Sequence, residues 1–176
     1  MRIQTDRVGW NRREVLVTGA AGFLGFHVAK ELASAGASVR ALVRKSTNVA
    51  LLSASGIRCV EGDLENKSTL AAACAGCEYV FHVAGVVDFG NDWQICRRVN
   101  IEGTRSLVDV ARQAGVRRLV HTSSIVTVGA ATSPNVFLDE DVVWNLERLQ
   151  IPYVTVKTGV SLTGGFLPFV AQRQEE

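Results

Sequence analysis

A cluster of glycines stands between a short apolar run and a segment with helical periodicity. The apolar run is Val15–Thr18, and the glycines are Gly19, Gly22 and Gly25. A glycine after a strand permits a tight turn, a central glycine lets a pyrophosphate approach the backbone, and a third lets helix and strand pack closely. The unpaired N–H groups at the start of the helix then face the phosphates. The pattern predicts a phosphate-binding turn between a strand and a helix.

Two alternatives compete with dinucleotide binding at this turn. A tight turn with a packing glycine needs no ligand, and the mononucleotide P-loop is also a glycine-rich connection from strand to helix. No Gly-Lys-Ser or Gly-Lys-Thr follows the glycines, so the residues that would reach the β- and γ-phosphates and magnesium are lacking. A dinucleotide is therefore preferred over ATP.

Strand-like and helix-like segments alternate along the chain. Strands are predicted at Val15–Thr18, Val39–Val43, Ile57–Val60, Tyr79–Val83 and Arg118–Thr122. Helices are predicted at Phe23–Ala35, Thr47–Ala54, Lys67–Ala73 and Ile101–Gln113. Strands that are apolar on both faces and separated by helices form a parallel sheet covered on both sides. The predicted fold class is α/β, a Rossmann-type doubly wound parallel sheet in the order 3-2-1-4-5, with flavodoxin-like winding as the alternative.

Composition limits the partners of this fold. With 176 residues, 47% hydrophobic and 20% charged, the chain suits one globular domain. A net charge of +2 without a basic run argues against nucleic acid as a partner. No apolar run approaches the ~20 residues of a membrane helix, and residues 1–14 lack the apolar centre of a signal peptide. We therefore expect no membrane partner and a cytoplasmic location.

The cysteines are Cys59, Cys74, Cys77 and Cys96, which are few for a chain of this length. A reducing compartment would keep them as thiols. Cys74 and Cys77 have the spacing of a redox or zinc motif, but no second pair accompanies them. We expect small buried thiols and no metal site.

The end of the second strand indicates which dinucleotide binds. A carboxylate at this place binds the ribose 2′-hydroxyl of NAD, whereas a cation accommodates the 2′-phosphate of NADP. The strand here ends with Arg44, Lys45 and Ser46. A guanidinium fork beside an ammonium and a hydroxyl matches a phosphate. The sequence predicts a preference for NADP(H), with NAD(H) as the second candidate and a solvated basic loop as the structural alternative.

Five motifs occur in the order and spacing of a known family. They are Thr18–Gly25, Gly62–Leu64, His82–Gly85, Val99–Thr104 and His121–Ser124. Together they resemble an extended short-chain dehydrogenase/reductase over Glu14 to Lys157. Within that superfamily the chain looks most like the NAD(P)-dependent epimerase/dehydratase group, with its dihydroflavonol-reductase-like, 3β-hydroxysteroid-dehydrogenase-like and hopanoid-associated sugar-epimerase-like members.

The resemblance implies roles for the remaining motif residues. Asp63 and Leu64 would hold the adenine, and residues 83–85 would line the ribose side. Asn100 would brace the strand that carries the active site. The cofactor-binding residues expected from the motifs and the second strand are Gly19, Gly22, Phe23, Leu24, Gly25, Arg44, Lys45, Asp63, Leu64, Val83, Ala84, Gly85, Asn100 and Lys157.

Purely structural roles are the alternatives for four polar side chains. Asp63 would only cap the following turn, and Asn100 would be the N-cap of a helix. His82 and His121 would be satisfied histidines of the core or of strand ends.

By the same resemblance, Tyr153 and Lys157 match the family's YxxxK catalytic pair. In a helix the two side chains stand one turn apart on the same face. The ammonium of Lys157 would lower the pKa of the Tyr153 phenol and bond the nicotinamide ribose. Ser124 would orient the substrate oxygen, and Ser123 is the less favoured choice for that role.

The chain departs from the family after Lys157. Family members continue as a long helix, a further strand and a small C-terminal domain over the substrate. Residues 158–168 contain three glycines, a proline and several β-branched residues, which disfavour an extended helix. The sequence predicts a polar leader at 1–13, an NAD(P)-binding Rossmann domain at 14–157 and a divergent tail at 158–176, with the substrate-binding part missing through truncation or a frame shift.

Such a chain would have a poorly anchored helix stub and an unpaired edge at its fifth strand. Apolar surface left there would favour self-association. We expect an oxidoreductase- or epimerase-type domain that moves hydride between NADP(H) and a secondary alcohol or ketone, with activity impaired by the truncation. Alternatives are a non-catalytic NADPH-binding sensor or interaction module, and an unstable remnant of a disrupted gene. The small-molecule substrate is not specified.

Overall fold

Five parallel strands form one sheet in the order β3-β2-β1-β4-β5. The computed structural model describes residues 9–87, 92–131, 133–138, 144–146, 148–149 and 151–162. The strands are β1 Glu14–Thr18, β2 Ser38–Val43, β3 Arg58–Glu61, β4 Tyr79–His82 and β5 Arg118–His121. The predicted strand order is confirmed, and the flavodoxin-like alternative is wrong. All carboxyl ends of the strands lie at the same edge of the sheet.

Helices cover both faces of this sheet. They are α1 Phe23–Ser34, α2 Ala50–Ala54, α3 Lys67–Cys74, α4 Trp93–Cys96, α5 Thr104–Gln113 and α6 Pro152–Leu162. A π-helical segment, Arg97–Gly103, joins α4 to α5 without a break, and a short 3-10 helix occupies Ile125–Thr127. Helical structure in this part of the chain therefore begins at Trp93, earlier than the predicted Ile101. By contrast, α2 begins at Ala50 and not at Thr47, because the Asn48 side chain accepts the Ala50 N–H at 3.0 Å.

Two apolar clusters hold the helices to the sheet. One contains Leu16, Leu70 and Leu107 and joins the sheet to α3 and α5. The other contains Val17 and Leu32 and joins the opposite face to α1 and α2. Because β1 contributes to both clusters, it is the buried centre of the fold. The glycine turn at its carboxyl end therefore follows the most deeply buried strand of the sheet.

Residues 9–13, within the segment expected to be a polar leader, pack against the sheet. The Trp10 ring lies 5.2 Å from the Tyr79 ring and 5.9 Å from the Phe81 ring, centroid to centroid. Arg13 also forms an ion pair with Glu78 at 2.6 Å. The domain boundaries at 14 and 157 stay predictions.

Cys74, Cys77 and Cys96 are buried thiols, and Cys59 is half-buried. Burial raises the pKa of the Cys74 thiol to about 12, with a smaller contribution from Cys77. Burial also raises the pKa of the Cys77 thiol, so both thiols are protonated near neutrality. In the described ranges, no group of three or more histidine, cysteine or acidic side chains is placed to hold a metal.

Helix α6 extends beyond the point at which the sequence predicts its end. Residues 158–168 were expected to disfavour an extended helix, yet the helix runs to Leu162 and passes through Gly159. It packs against α4, the π-helical segment and the 3-10 helix. Tertiary contacts therefore anchor this helix, and the expectation of a poorly anchored stub is wrong. Among the described helices, none is long and apolar enough to cross a membrane.

Candidate dinucleotide site and active site

A cleft of about 710 Å³ opens at the carboxyl ends of β1, β2, β3 and β4. It lies where the strand order reverses between β1 and β4, which is the usual ligand position in open α/β sheets. Eleven of the predicted cofactor-binding residues line it, namely Gly19, Gly22, Phe23, Leu24, Gly25, Arg44, Asp63, Leu64, Val83, Ala84 and Gly85. The structure therefore brings most of the predicted set together, whereas Lys45, Asn100 and Lys157 lie outside the lining.

Glycine has a different structural role at each of its three positions in the turn. Gly19 has φ of +70°, and a Cβ there would lie 2.6 Å from the Ala84 nitrogen. A Cβ on Gly25 would overlap the Gly19 carbonyl. Gly22 has φ of −84° and is the N-cap of α1. A Cβ on Gly22 would meet only the Gly19 oxygen, at 3.3 Å. Gly19 and Gly25 thus shape the turn, whereas Gly22 keeps its outer side open.

The loop after β2 exposes Arg44, Lys45 and Ser46. A backbone hydrogen bond from Thr47 to the Arg44 carbonyl closes the loop at 2.9 Å. Arg44 lines both the main cleft and an adjoining pocket of about 560 Å³, whereas Lys45 lines only that second pocket. Within the described residues, neither cation forms an ion pair. Both charges are thus available to an anion, although Glu61 also borders the second pocket.

Asp63 and Leu64 follow β3 at the far end of the cleft. The Asp63 carboxylate accepts the Glu65 N–H at 2.9 Å, so it caps the local turn as the structural alternative expected. Leu64 is 7% exposed and packs closely under Gly103, where an added Cβ would lie 2.9 Å from the Leu64 Cβ. Both residues nevertheless line the cleft. The capping role and the cofactor role are compatible.

A buried hydrogen-bond network supports the cleft from below. The Thr18 hydroxyl accepts the Ala84 N–H at 3.2 Å and lies 2.7 Å from His82 Nδ1. His82 Nε2 lies 2.8 Å from the Thr104 hydroxyl. In the neutral ring one nitrogen donates and the other accepts, and the two hydroxyls satisfy both nitrogens in either tautomer. His82 is thus a satisfied core histidine that ties β1, β4 and α5 together.

Stability should fall in acid because His82 is buried as the neutral ring. Burial, with smaller effects of His121 and Lys157, lowers the pKa of His82 to about 3. The unfolded state takes up this proton below about pH 6.5, and the folded state does not. We expect His82 alone to remove about 2 kcal/mol of unfolding free energy between about pH 7 and pH 5. Urea titrations at several pH values measure this loss, and the His82→Gln variant should show a correspondingly smaller pH slope. Equal slopes in the two chains would contradict the assignment.

Asn100 holds the segment that follows β4. Its side-chain oxygen accepts the Val86 N–H, and its side-chain nitrogen donates to the Val86 carbonyl, both at 2.8 Å. Asn100 is 3% exposed and lies inside the π-helical segment, so the N-cap alternative is wrong. Sequence reasoning missed this partner, since an asparagine within a helix does not reveal which backbone it contacts. The side chain therefore braces the loop that carries Val83 to Gly85.

The predicted catalytic residues lie outside the lining of the cleft, on α6 and in the segment after β5. Lys157 is 7% exposed, and its Nζ donates to the Thr122 carbonyl at 3.2 Å. The same atom would lie 3.6 Å from a Cβ on Gly85, and burial lowers the pKa of the ammonium. Tyr153 is buried one turn earlier in α6. The half-buried Ser124 caps the 3-10 helix, where its hydroxyl accepts the Val126 N–H at 3.4 Å.

Ser123 is exposed, and its hydroxyl lies 3.4 Å from that of Thr127. Val126, on the 3-10 helix after Ser124, accepts a hydrogen bond from the Trp144 indole at 2.9 Å. The Asn145 side chain also pairs with the backbone of Ala130, donating at 2.8 Å and accepting at 2.9 Å. These contacts fix the segment after β5, on which the choice between the two serines depends.

The sheet order and the glycine turn at the switch point define a Rossmann-type domain of the extended short-chain dehydrogenase/reductase class. A model of the 3-beta hydroxysteroid dehydrogenase/isomerase family matches residues 16–158. The chain belongs to this family. Its fold is therefore that of the NAD(P)-binding domain found in reductases and epimerases of this class.

Individual relatives match this chain over part of their length. Sterol demethylase protein B of Methylococcus capsulatus is 42% identical over 65% of this chain and 35% of that protein. Cinnamoyl-CoA reductase 1 of Oryza sativa subsp. japonica is 41% identical over 72% of this chain and 39% of the reductase. A solved short-chain dehydrogenase/reductase superfamily protein from Agrobacterium tumefaciens, with bound NAD, is 32% identical with a TM-score of 0.67, covering 85% of this chain and 43% of that one. The chain spans less than half the length of each.

Proposed function

We propose that the cleft binds NADP(H) and that the chain is the nucleotide-binding part of an enzyme that moves hydride between this cofactor and a secondary alcohol or ketone. The observation that carries the proposal is the N-terminus of α1 behind Gly22, placed at the switch point of the sheet. Unpaired backbone N–H groups there suit a pyrophosphate. The similar Agrobacterium tumefaciens protein contains bound NAD, which supports dinucleotide binding by this fold.

The preference for NADP(H) rests on the loop after β2. Arg44 is exposed at the boundary of the two pockets, next to Lys45 and Ser46. A guanidinium can bind a phosphate through two parallel hydrogen bonds, which an ammonium cannot. No carboxylate occupies these three positions to bind a ribose 2′-hydroxyl. The 2′-phosphate would lie against Arg44, with Lys45 as a second and weaker contact.

Arg44→Ala should remove most of the difference between NADPH and NADH binding. A charge-assisted hydrogen bond contributes about 1.5 to 3 kcal/mol, so NADPH affinity should fall by about 10- to 150-fold, while NADH affinity changes little. Calorimetric titration of both cofactors measures the two affinities. Lys45→Ala is the matched control and should have the smaller effect. Equal affinity of the unmodified chain for NADPH and NADH would refute the preference.

Three side chains, Ser124, Tyr153 and Lys157, would carry out the chemistry of the proposed reaction. The bound nicotinamide would supply the carbon that gives or takes the hydride. Tyr153 would exchange the hydroxyl proton of the substrate, and Ser124 would orient the substrate oxygen. Lys157, close to Gly85 and bonded to Thr122, would hold the nicotinamide ribose and stabilise the Tyr153 phenolate.

A non-catalytic NADPH sensor or interaction module is the second candidate. Ser124 and Tyr153 do not line the dinucleotide cleft, and the matched part of the relatives is less than half of their length. Both observations favour binding without turnover by residues 1–176 alone. A cytoplasmic location and self-association also remain part of the proposal, and the exposed Val120 and Ile125 at and after β5 support the latter.

A further inference from the structure

An ion pair connects two walls of the cleft that are distant in sequence. The Arg98 Nε lies 2.6 Å from the Glu65 Oε1. Glu65 belongs to the loop between β3 and α3, and Arg98 belongs to the π-helical segment before α5. Both residues line the cleft, and their side chains are 42% and 54% exposed. The pair therefore lies at the rim of the cleft and not in the core.

Each end of this pair is held by a rigid part of the fold. The Glu65 N–H donates to Asp63, and Asn66 caps α3 by accepting the N–H groups of Ser68 and Thr69. On the other wall, Arg98 is two residues before the buried Asn100, which is bonded to Val86. An ion pair between anchored elements requires less ordering of the backbone on forming than one between mobile loops.

The position of the Glu65–Arg98 pair indicates which end of the proposed dinucleotide lies next to it. Leu64 and Val99, the chain neighbours of the two charged residues, are apolar and also line the cleft. A flat aromatic base suits such a place, whereas the pyrophosphate belongs at the glycine turn. The rim pair is thus at the adenine end of the proposed dinucleotide.

We propose that Glu65 and Arg98 form a clasp over the adenine end of the cleft, which must open before the dinucleotide can leave. The inference rests on the proposed dinucleotide function. An exposed ion pair contributes little binding free energy, so loss of the clasp should increase the rate of NADPH dissociation only about two- to fivefold. Salt should speed dissociation from the unmodified chain through the same pair, because exposed charges are screened.

The sign of the effect separates a clasp from general electrostatics. Glu65→Gln removes a negative charge beside an anionic ligand, so electrostatics alone would slow NADPH dissociation. The clasp predicts faster dissociation instead. Arg98→Gln should also speed dissociation, and the charge-reversed double variant Glu65→Arg with Arg98→Glu should bring the rate back towards that of the unmodified chain.

A second ion pair in the same π-helical segment provides the control. The Arg97 Nε lies 3.1 Å from the Glu102 Oε1, and neither residue lines the cleft. Arg97→Gln and Glu102→Gln remove the same types of charge without touching the rim. Both variants should release NADPH at the rate of the unmodified chain.

Stopped-flow displacement of bound NADPH, followed by its fluorescence at several salt concentrations, measures these rates. Faster release in Glu65→Gln and Arg98→Gln, with no change in the two control variants, is the expected result. Unchanged or slower release in Glu65→Gln would overturn the clasp and leave the proposed function standing. Failure of the unmodified chain to bind NADPH or NADH would overturn the proposed function and the clasp together.

Discussion

Replacement of Gly22 by valine should weaken NADPH binding by at least about a hundredfold while the fold largely survives. The branched side chain would occupy the space in which a pyrophosphate approaches the N-terminus of α1. Blocking two charge-assisted hydrogen bonds at about 1.5 kcal/mol each accounts for that factor. The backbone at Gly22 has φ of −84°, which valine can adopt, and the nearest atom to an added Cβ is the Gly19 oxygen at 3.3 Å. Calorimetric titration and circular dichroism of the same preparation measure binding and folding.

Gly25→Ala is the contrasting control in the same turn. Its Cβ would overlap the Gly19 carbonyl, so this variant should destabilise the fold by about 1 to 3 kcal/mol or more. A stable Gly22→Val chain that still binds NADPH tightly would refute the assigned pyrophosphate position. Outright unfolding of Gly22→Val would favour the packing role of that glycine.

Residues 1–176, assayed on their own, should reduce or oxidise ketones and secondary alcohols very slowly, although they carry Ser124, Tyr153 and Lys157. Orientation of the reacting groups contributes roughly 7 to 11 kcal/mol to reactions of this kind. The matched region is 35% of the Methylococcus capsulatus protein and 39% of the rice reductase, so most of each relative lies outside it. We attribute substrate orientation to such additional chain. Absorbance of NADPH with a panel of ketones, aldehydes and nucleotide sugars measures the turnover.

The Tyr153→Phe variant is the control for that assay. It removes the acid/base group and leaves the ring that packs in α6. Loss of a general acid or base lowers a rate by about 10²- to 10⁴-fold, so any turnover at the proposed site should disappear in this variant. Robust turnover that Tyr153→Phe abolishes would show that residues 1–176 suffice for catalysis, and the prediction would be wrong.

The sheet was predictable because the sequence features that mark its strands and the helices between them are local. Each strand is a short apolar run, and four of the helices are followed by a glycine with positive φ, at Gly36, Gly56, Gly76 and Gly115. The length of α6 was not predictable in the same way. The helix runs past Lys157 to Leu162 and packs against three other elements, and no local propensity reports such contacts.

The candidate site was predictable only where the conformation of the backbone restricts which residue a motif can contain. Gly19 and Gly25 stand where a Cβ would clash with the backbone, and their spacing after a strand is visible in the sequence. The contact of Asn100 with Val86 and the pair between Glu65 and Arg98 join segments that are 14 and 33 residues apart. Their partners are set by how the helices lie on the sheet, so a single sequence indicates the residues but not the pairing.

The π-helical segment makes one part of the chain intolerant of changes in length. A π-turn accommodates one residue more than an α-helical turn, because its hydrogen bonds run from i to i+5. Deletion of a single residue between Arg97 and Gly103 would let the segment relax into a regular α-helix. Each residue of an α-helix turns the chain by about 100°, so Asn100 would leave Val86 or α5 would lose its buried face. Homologous chains can therefore vary in sequence along this stretch far more freely than they can gain or lose a residue.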